Sequence, residues 1–121
     1  MIVCKRFKID AAHFLPNYNG KCKDLHGHCW RVEIGIKGFV NPETGMVVDF
    51  NELKAIVEDE IVEKLDHKLL NDIIDNPTAE RIAVWIYMGI NRKISEVEKS
   101  SYELLFVRIW ETEDSYAEYP G

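Results

Sequence analysis

Apolar and polar residues alternate with a period of two in two segments near the start of the chain. Val3 and Ile9 fall on the same side of the segment 2–11, with charged residues on the other side. The segment 28–36 repeats this alternation, and a run of turn-forming residues at 16–20 lies between the two. Each segment is therefore predicted to form a half-buried strand.

A helical period replaces the alternation in the middle of the chain. Asp49 and Glu52 stand in the spacing of a capping box, ahead of an apolar stripe that predicts a helix over residues 51–64. A second helix is predicted to begin near residues 76–78, where Asn, Pro and Thr suit a helix start. It continues to about Asn91.

The polar run 95–101 is expected to separate the second helix from two further strands. The segment 104–111 is rich in β-branched and aromatic residues, and 116–119 follows it across a short turn. The predicted order is strand, strand, helix, helix, strand, strand. An α+β fold is the simplest assembly, a four-stranded antiparallel sheet with both helices on one face.

Composition limits the classes of function. The chain has 121 residues, 46% apolar and 30% charged, which is typical of a single globular domain over 1–121. Its 15 Lys and Arg against 21 Asp and Glu give a net charge of −6, which argues against a nucleic-acid binder. Apolar runs stay well short of the ~20 residues that a membrane span needs, and charges interrupt the first ten residues, unlike a secretory signal. We therefore expect a cytoplasmic protein that binds neither nucleic acid nor membrane.

The three cysteines have spacings that suggest no disulfide framework, so reduced thiols are expected. Cys4 and Cys29 are interpreted as small buried hydrophobic residues. Cys22 lies between Lys21 and Lys23, and adjacent positive charge favours the thiolate that serves as nucleophile or base. An inert loop cysteine is the alternative interpretation.

Histidines are the strongest chemical signal in the chain. His26 and His28 flank a glycine, so an extended backbone places both imidazoles on one face. His13, near the end of the first strand, supplies a third ligand if the first two strands pair as a hairpin. Three imidazoles with one open position are typical of a catalytic zinc site. The alternatives are an ordinary surface loop, or a closed structural site that adds Cys22 and Cys29 to His26 and His28.

Two further groups of side chains carry candidate chemistry. In Asp66-His67 a carboxylate stands beside an imidazole after the first helix, which suits proton transfer but equally suits a polar helix end. Glu111 ends the last long apolar strand, where a carboxylate is costly unless it receives hydrogen bonds. The adjacent N–H groups of a pterin or guanine would supply them, and exposure to solvent would explain the residue equally well.

Several short motifs together resemble the 6-pyruvoyl-tetrahydropterin synthase family. In chain order they are Ile9-Asp10-Ala11-Ala12-His13, Cys22-x-x-x-His26-Gly27-His28, Asp49-Phe50, Leu65-Asp66-His67, Pro77-Thr78-Ala79-Glu80 and Trp110-Glu111-Thr112. The similarity spans nearly the whole chain. The interval from the cysteine to the His-Gly-His is most like the branch that makes 6-carboxy-5,6,7,8-tetrahydropterin for queuosine biosynthesis; the pyruvoyl-forming synthases of animals have a longer interval.

The resemblance implies the tunnelling fold, in which four-stranded sheets with two helices each join into a β-barrel. It implies a homo-oligomer, usually a hexamer made of two trimers, with active sites between subunits. It also implies that His13, His26 and His28 bind Zn2+ and that Cys22 is the catalytic thiol.

The same resemblance implies roles for four more residues. Asp66 and His67 correspond to the proton-relay pair, which in the family can come from a neighbouring subunit. Glu111 corresponds to the anchor of the pterin ring, helped by Thr78. The implied substrate is 7,8-dihydroneopterin triphosphate, and the candidates to bind its triphosphate are Lys5, Arg6, Lys8, Lys21 and Lys23.

Two other functions remain open at this point. A sibling enzyme of the same fold would form 6-pyruvoyl-tetrahydropterin, or would cleave dihydroneopterin to a hydroxymethyl pterin. A non-catalytic zinc-stabilised interaction domain would use Cys22, His26, His28 and Cys29 as its four ligands.

Overall fold

The computed structural model describes residues 1–97 and 101–121, and four strands within them form one antiparallel sheet. The strands lie side by side in chain order, and their bounds are β1 Ile2–His13, β2 His26–Gly38, β3 Tyr102–Thr112 and β4 Ser115–Tyr119. This topology confirms the predicted α+β class. The first two strands extend to the histidines, beyond their predicted ends.

The first helical stretch runs without a break through α1 (Phe50–Val57), a π-helical turn (Glu58–Val62) and α2 (Glu63–Leu65). Asp49 caps it, because its carboxylate accepts a hydrogen bond of 2.8 Å from the Asn51 backbone N–H. The predicted helix over residues 51–64 is thus one residue short at each end. The π-helical turn was not predicted.

The second helix, α3, spans Ala79–Glu96, and the Thr78 hydroxyl caps it by accepting from the Arg81 backbone N–H at 3.2 Å. It continues past its predicted end near Asn91, since Ile94 is buried and extends the apolar stripe by another turn. The polar run expected to end this helix includes residues 98–100, which lie outside the described residues. None of the described helices has the length and apolar character of a membrane-spanning segment.

One apolar core joins the inner face of the sheet to the helices. Its fully buried members include Trp30, Val32, Ile34, Val107 and Ile109 from the sheet and Leu53, Ile61, Ile82, Ile86 and Ile90 from the helical segments. The alternation read from β1 and β2 is confirmed by this burial.

The opposite face of the sheet carries mostly polar and charged side chains. Cys4 and Cys29 are both exposed, so the prediction that they are small buried hydrophobic residues was wrong. The physical reason is the alternation itself. Cys29 immediately precedes the buried Trp30, and adjacent residues of a strand point to opposite faces.

The segment that follows α2 lies along the outer edge of β1. Leu69 pairs with Ala12 in a parallel bridge, and the Ala12 backbone N–H donates to the Lys68 carbonyl at 3.1 Å. This contact brings the Asp66-His67 pair to the end of β1 that carries the histidines.

Candidate metal centre and active site

Antiparallel pairing of β1 and β2 brings three histidines together. His13 is the register partner of His26, and His28 lies one step further along the same face of β2. The ring centroid of His13 lies 4.5 Å from that of His26 and 5.3 Å from that of His28. The ring centroids of His26 and His28 are 4.8 Å apart. The hairpin geometry expected from the sequence is therefore present.

Trp30 supports two of these rings from the core. Its indole lies edge-on to His13 at 4.9 Å and to His28 at 5.2 Å between ring centroids. The indole N–H donates to the Ala11 carbonyl at 3.2 Å, so the fully buried Trp30 is itself fixed. A packed aromatic wall of this kind restricts the rotamers that the imidazoles can adopt.

Two backbone carbonyls set the protonation of two of the rings. His13 Nδ1 lies 2.8 Å from the Pro77 carbonyl oxygen, and His26 Nδ1 lies 2.7 Å from the Asp24 carbonyl oxygen. Because a carbonyl only accepts, each Nδ1 carries the proton, and each neutral ring presents a lone pair at Nε2. A carbonyl holding the far nitrogen is the usual arrangement around a metal-bound histidine.

These lone pairs face each other. The Nε2 atoms of His13 and His26 are only 2.9 Å apart, a separation that two lone pairs tolerate only with a positive charge at hand. A shared proton or a metal ion would supply it. The donor set therefore fits a divalent cation.

His28 and Glu111 complete the group. Glu111 Oε1 lies 3.4 Å from His13 Nε2 and 3.3 Å from His28 Nε2. Despite that short distance, the buried His28 Nε2 makes no hydrogen bond of acceptable geometry to a described residue. The four donor atoms, including His26 Nε2, lie within 4.8 Å of one another, so this His/Glu group could bind a metal ion. Imidazole and carboxylate are both ligands that Zn2+ accepts.

Burial favours the neutral, ligating form of two rings. Desolvation is the main cause that lowers the pKa of His13, opposed by its hydrogen bond to Pro77. Desolvation likewise lowers the pKa of His28, and the nearby Glu111 carboxylate opposes it. Metal ions compete with protons for imidazole nitrogen, so a lowered pKa assists metal binding near neutral pH.

The position of Glu111 follows from an irregularity in β3. The register with β4 shifts between Trp110 and Thr112, and Glu111 occupies the shift. Its side chain is 28% exposed, at the end of the strand where Val107 and Ile109 are fully buried. The sequence predicted a carboxylate on the apolar face, but it did not predict contact with the histidines.

Cys22 lies in a 3-10 turn, Lys21–Lys23, within the loop that joins β1 to β2. It is half-buried, and its carbonyl accepts a hydrogen bond of 2.8 Å from the Leu15 backbone N–H. Neither Cys22 nor the exposed Cys29 contributes a donor to the His/Glu group that could bind a metal ion. The four-ligand set with two cysteines is therefore not assembled in this structure.

Asp66 and His67 form a pair fastened to β1. The Asp66 carboxylate accepts from the Asp10 backbone N–H at 2.9 Å, and the His67 backbone N–H donates to the Asp10 carbonyl at 2.7 Å. His67 adopts a left-handed backbone, φ 57°, which turns its ring towards Asp66, with Nε2 and Oδ2 3.5 Å apart. The exposed His67 and the candidate metal ligand His28 line the same open cleft.

Thr78 and Pro77 connect the start of α3 to the site. The Thr78 hydroxyl is already an acceptor in the helix cap, and the adjacent Pro77 carbonyl holds His13. Thr78 is therefore placed beside a metal-ligand partner, with its hydroxyl proton still available as a donor.

The basic candidates lie in different surroundings. Lys21 and Lys23 share the turn of Cys22. Arg6 forms an ion pair with the buried Glu33 at 3.2 Å, and Lys5 lies over the Phe50 ring at 5.8 Å from its centroid. Arg6 is thus engaged within the chain, whereas the two loop lysines are the sequence neighbours of Cys22.

Sequence reasoning missed two supports of the site. Pro77 acts through its backbone carbonyl, which side-chain patterns do not reveal. Asn71 makes two hydrogen bonds to the backbone of Phe14, and its place near the Asp66-His67 motif was the available signal.

Comparison with known proteins agrees with this geometry. The model of the 6-pyruvoyl tetrahydropterin synthase family matches residues 2–121. A 6-carboxy-5,6,7,8-tetrahydropterin synthase from Synechocystis is 42% identical over 92 residues, covering 71% of either chain. A dihydroneopterin monophosphate aldolase from Pyrococcus furiosus is 40% identical over 89 residues, covering 74% of either chain. The structure of Caenorhabditis elegans 6-pyruvoyl tetrahydropterin synthase superimposes with a TM-score of 0.86 at 25% identity, covering 100% of this chain and 95% of the other.

Proposed function

Because the chain belongs to the 6-pyruvoyl tetrahydropterin synthase family of enzymes, we propose that it is a zinc-dependent 6-carboxy-5,6,7,8-tetrahydropterin synthase. Its substrates would be 7,8-dihydroneopterin triphosphate and one water molecule, and its products the carboxypterin, acetaldehyde and triphosphate. The proposal places this lyase in queuosine and deazapurine biosynthesis. The observation that carries it is the group of three imidazoles and Glu111 at one end of the hairpin.

His13, His26 and His28 would hold the zinc ion. Bound zinc would act as a Lewis acid towards the hydroxyls of the substrate side chain. The rings suit this task because carbonyls hold His13 and His26 in the ligating tautomer, and burial disfavours protonation of His13 and His28.

Cys22 and His67 would move protons of the side chain. Cys22 lies between Lys21 and Lys23 in the loop turn, and its sulfur would accept a proton from the substrate side chain. His67, held against Asp66, would exchange a proton from another side of the substrate. The ring is reduced as its own side chain is oxidised, so the reaction needs no external redox cofactor.

Glu111 would anchor the pterin ring, helped by Thr78. A carboxylate accepts two parallel hydrogen bonds from the amino and ring N–H groups of a pterin. The same carboxylate lies 3.4 Å from His13 and 3.3 Å from His28, so it would have to turn away from them to meet the pterin. Such a ring anchor next to the metal would bring the substrate side chain to the ion.

The single chain offers an open sheet, which supports the proposed homo-oligomer. β4 and the first half of β1, before the part covered by the segment after α2, are its two edges within the described residues, and exposed edges favour pairing with another chain. In a hexamer of two trimers, the two edges of each sheet would pair with neighbouring subunits and close a barrel, with active sites between subunits. Light scattering coupled to gel filtration measures the subunit number directly.

Product analysis tests the reaction. We expect the purified protein, supplied with zinc and 7,8-dihydroneopterin triphosphate, to release acetaldehyde together with the 6-carboxy pterin. The pyruvoyl pterin as main product would instead make it a pyruvoyl-forming synthase.

A second candidate deserves a parallel assay because of the aldolase relative from Pyrococcus furiosus. The chain would then cleave dihydroneopterin or its phosphate to a hydroxymethyl pterin. Release of glycolaldehyde, or of glycolaldehyde phosphate from the phosphorylated substrate, in place of acetaldehyde would favour that reaction over the synthase.

A further inference from the structure

The side chain of Asn71 forms two hydrogen bonds with the backbone of Phe14. Its Oδ1 accepts from the Phe14 N–H at 2.9 Å, and its Nδ2 donates to the Phe14 carbonyl at 2.8 Å. Both residues are half-buried. A carboxamide matches a peptide unit in this way because it offers one acceptor and one donor side by side.

These bonds continue a series along the edge of β1. The first is the His67 N–H to the Asp10 carbonyl at 2.7 Å, and the next is the Ala12 N–H to the Lys68 carbonyl at 3.1 Å. β1 ends at His13, and beyond that point the Asn71 side chain takes the place of a neighbouring strand. The chain is thereby fixed one residue past a metal-ligand candidate.

Phe14 stands between the two chemical parts of the site. His13 precedes it, and Leu15, which follows, donates its backbone N–H to the Cys22 carbonyl at 2.8 Å. A shift of the Phe14 peptide would therefore move the His13 imidazole and the Cys22 turn together. Residues that hold a ligand in place commonly change metal affinity about 10–100-fold when they are replaced.

We propose that Asn71 is a positioning residue, which through Phe14 sets His13 and the Cys22 turn in register with each other. This inference rests on the proposed function, since it assumes that His13 binds metal and that Cys22 is the reactive thiol. The two hydrogen bonds of the Asn71 side chain go to Phe14, and not to His13 or Cys22.

Asn41 offers a matched control at the other end of the hairpin. Its Oδ1 also accepts two backbone hydrogen bonds, from Glu43 at 2.8 Å and from Thr44 at 3.3 Å. Asn41→Ala thus removes a comparable pair of side-chain-to-backbone bonds, far from the histidines. A purely structural loss should look the same in Asn41→Ala and Asn71→Ala.

The experiment compares zinc affinity, by competition with a chromophoric chelator, and alkylation of each cysteine, by peptide mass spectrometry. We expect Asn71→Ala to bind zinc about tenfold or more weakly than the wild type. We also expect its Cys22 to react several-fold faster with iodoacetamide, because a released turn exposes the thiol, while the remote Cys4 reacts at an unchanged rate. Asn41→Ala should match the wild type in both measurements.

Asn71→Asp covers the case in which the alanine variant does not fold. It keeps an acceptor for the Phe14 N–H but faces the Phe14 carbonyl with a second oxygen, so zinc affinity should fall here too. Zinc affinity and Cys22 reactivity like those of Asn41→Ala, in whichever Asn71 variants fold, would overturn the inference and leave the proposed function standing. A wild-type protein with no affinity for zinc would overturn the proposed function, and this inference with it.

Discussion

Two groups of charged or ionisable side chains differ in how far the chain satisfies them. Glu60, 5% exposed, accepts from Lys64 at 3.0 Å and from Arg92 at 3.1 Å, and Lys93 lies 3.4 Å from its other oxygen. At the opposite extreme, two histidine lone pairs face each other across 2.9 Å. The first group has its partners within the chain, whereas the second could bind a metal ion.

The difference marks the Glu60 cluster as structural and the histidine group as the candidate site. Glu60 ties the π-helical turn to α3, and each of its oxygens has a cationic partner within the described residues. Replacing Glu60 should therefore change stability and spare activity. Replacing a residue of the His/Glu group should instead lower activity and spare stability.

Cys22→Ala should give the largest effect. We expect turnover to fall roughly 10²–10⁴-fold, which is the range for loss of a proton-transfer group. The described residues of the His/Glu group include no cysteine that could replace Cys22. Zinc content and the unfolding temperature should stay at wild-type values. Acetaldehyde release, zinc stoichiometry and thermal unfolding measure the three quantities, and full activity would remove Cys22 from the mechanism.

Glu111→Gln should weaken pterin binding without releasing zinc. Losing a charged acceptor costs about 1.5–3 kcal/mol, which corresponds to a KM about 10–100-fold higher. Glu113→Gln, in the exposed turn before β4, serves as the control. Steady-state kinetics and metal analysis decide the outcome: loss of zinc with unchanged KM would make Glu111 a metal ligand and not the ring anchor.

Glu60→Gln should lower stability by about 1–2 kcal/mol at neutral pH, a modest amount because Lys64 and Arg92 remain in contact with water. Activity should be unchanged. Denaturant unfolding checks the first expectation, with Glu58→Gln on the exposed side of the helix as the control.

The same variant should alter the response to acid. The hydrogen bond from Lys64 is the main cause that holds the pKa of Glu60 below its ordinary 4.5. Ionised Glu60 therefore stabilises the fold fully above that value, and the contribution is lost as the pH falls through the lower, folded-state pKa. Between about pH 7 and pH 3 the wild type should lose more stability than Glu60→Gln. An equal loss in both proteins would contradict this.

Thr78→Ala should have the smallest effect, about 1 kcal/mol of stability, because it removes one helix cap. Thr78→Ser keeps the hydroxyl and should restore most of that loss. Thermal unfolding of both variants measures the cap. Comparing their KM values then shows whether Thr78 also assists Glu111 in binding the pterin.

The strands and the convergence of the three histidines could be predicted because their signals are local. Alternation along β1 and β2 fixed which face is buried, and the His26-Gly27-His28 spacing placed two imidazoles on one side of an extended chain. The prediction that Cys4 and Cys29 are buried was wrong because it rested on the general preference of cysteine for burial, whereas the alternation of the strands places both on the exposed face. Cys29 precedes Trp30, so its exposure was already implied.

Other features depended on contacts distant in sequence. The π-helical turn surrounds Glu60, whose partner Arg92 lies in α3, and a helical period in the local sequence carries no trace of that partner. Asn71 and Phe14 are likewise 57 residues apart. The contact of Glu111 with His13 required the irregular register of β3, which strand propensity does not encode.

Metal analysis of three purified proteins tests the central claim, that His13, His26 and His28 bind a divalent cation. The wild type should bind one zinc ion per chain, His13→Ala should bind none under the same conditions, and Cys29→Ala should bind as the wild type does. Zinc retained by His13→Ala and lost from Cys29→Ala would contradict the account.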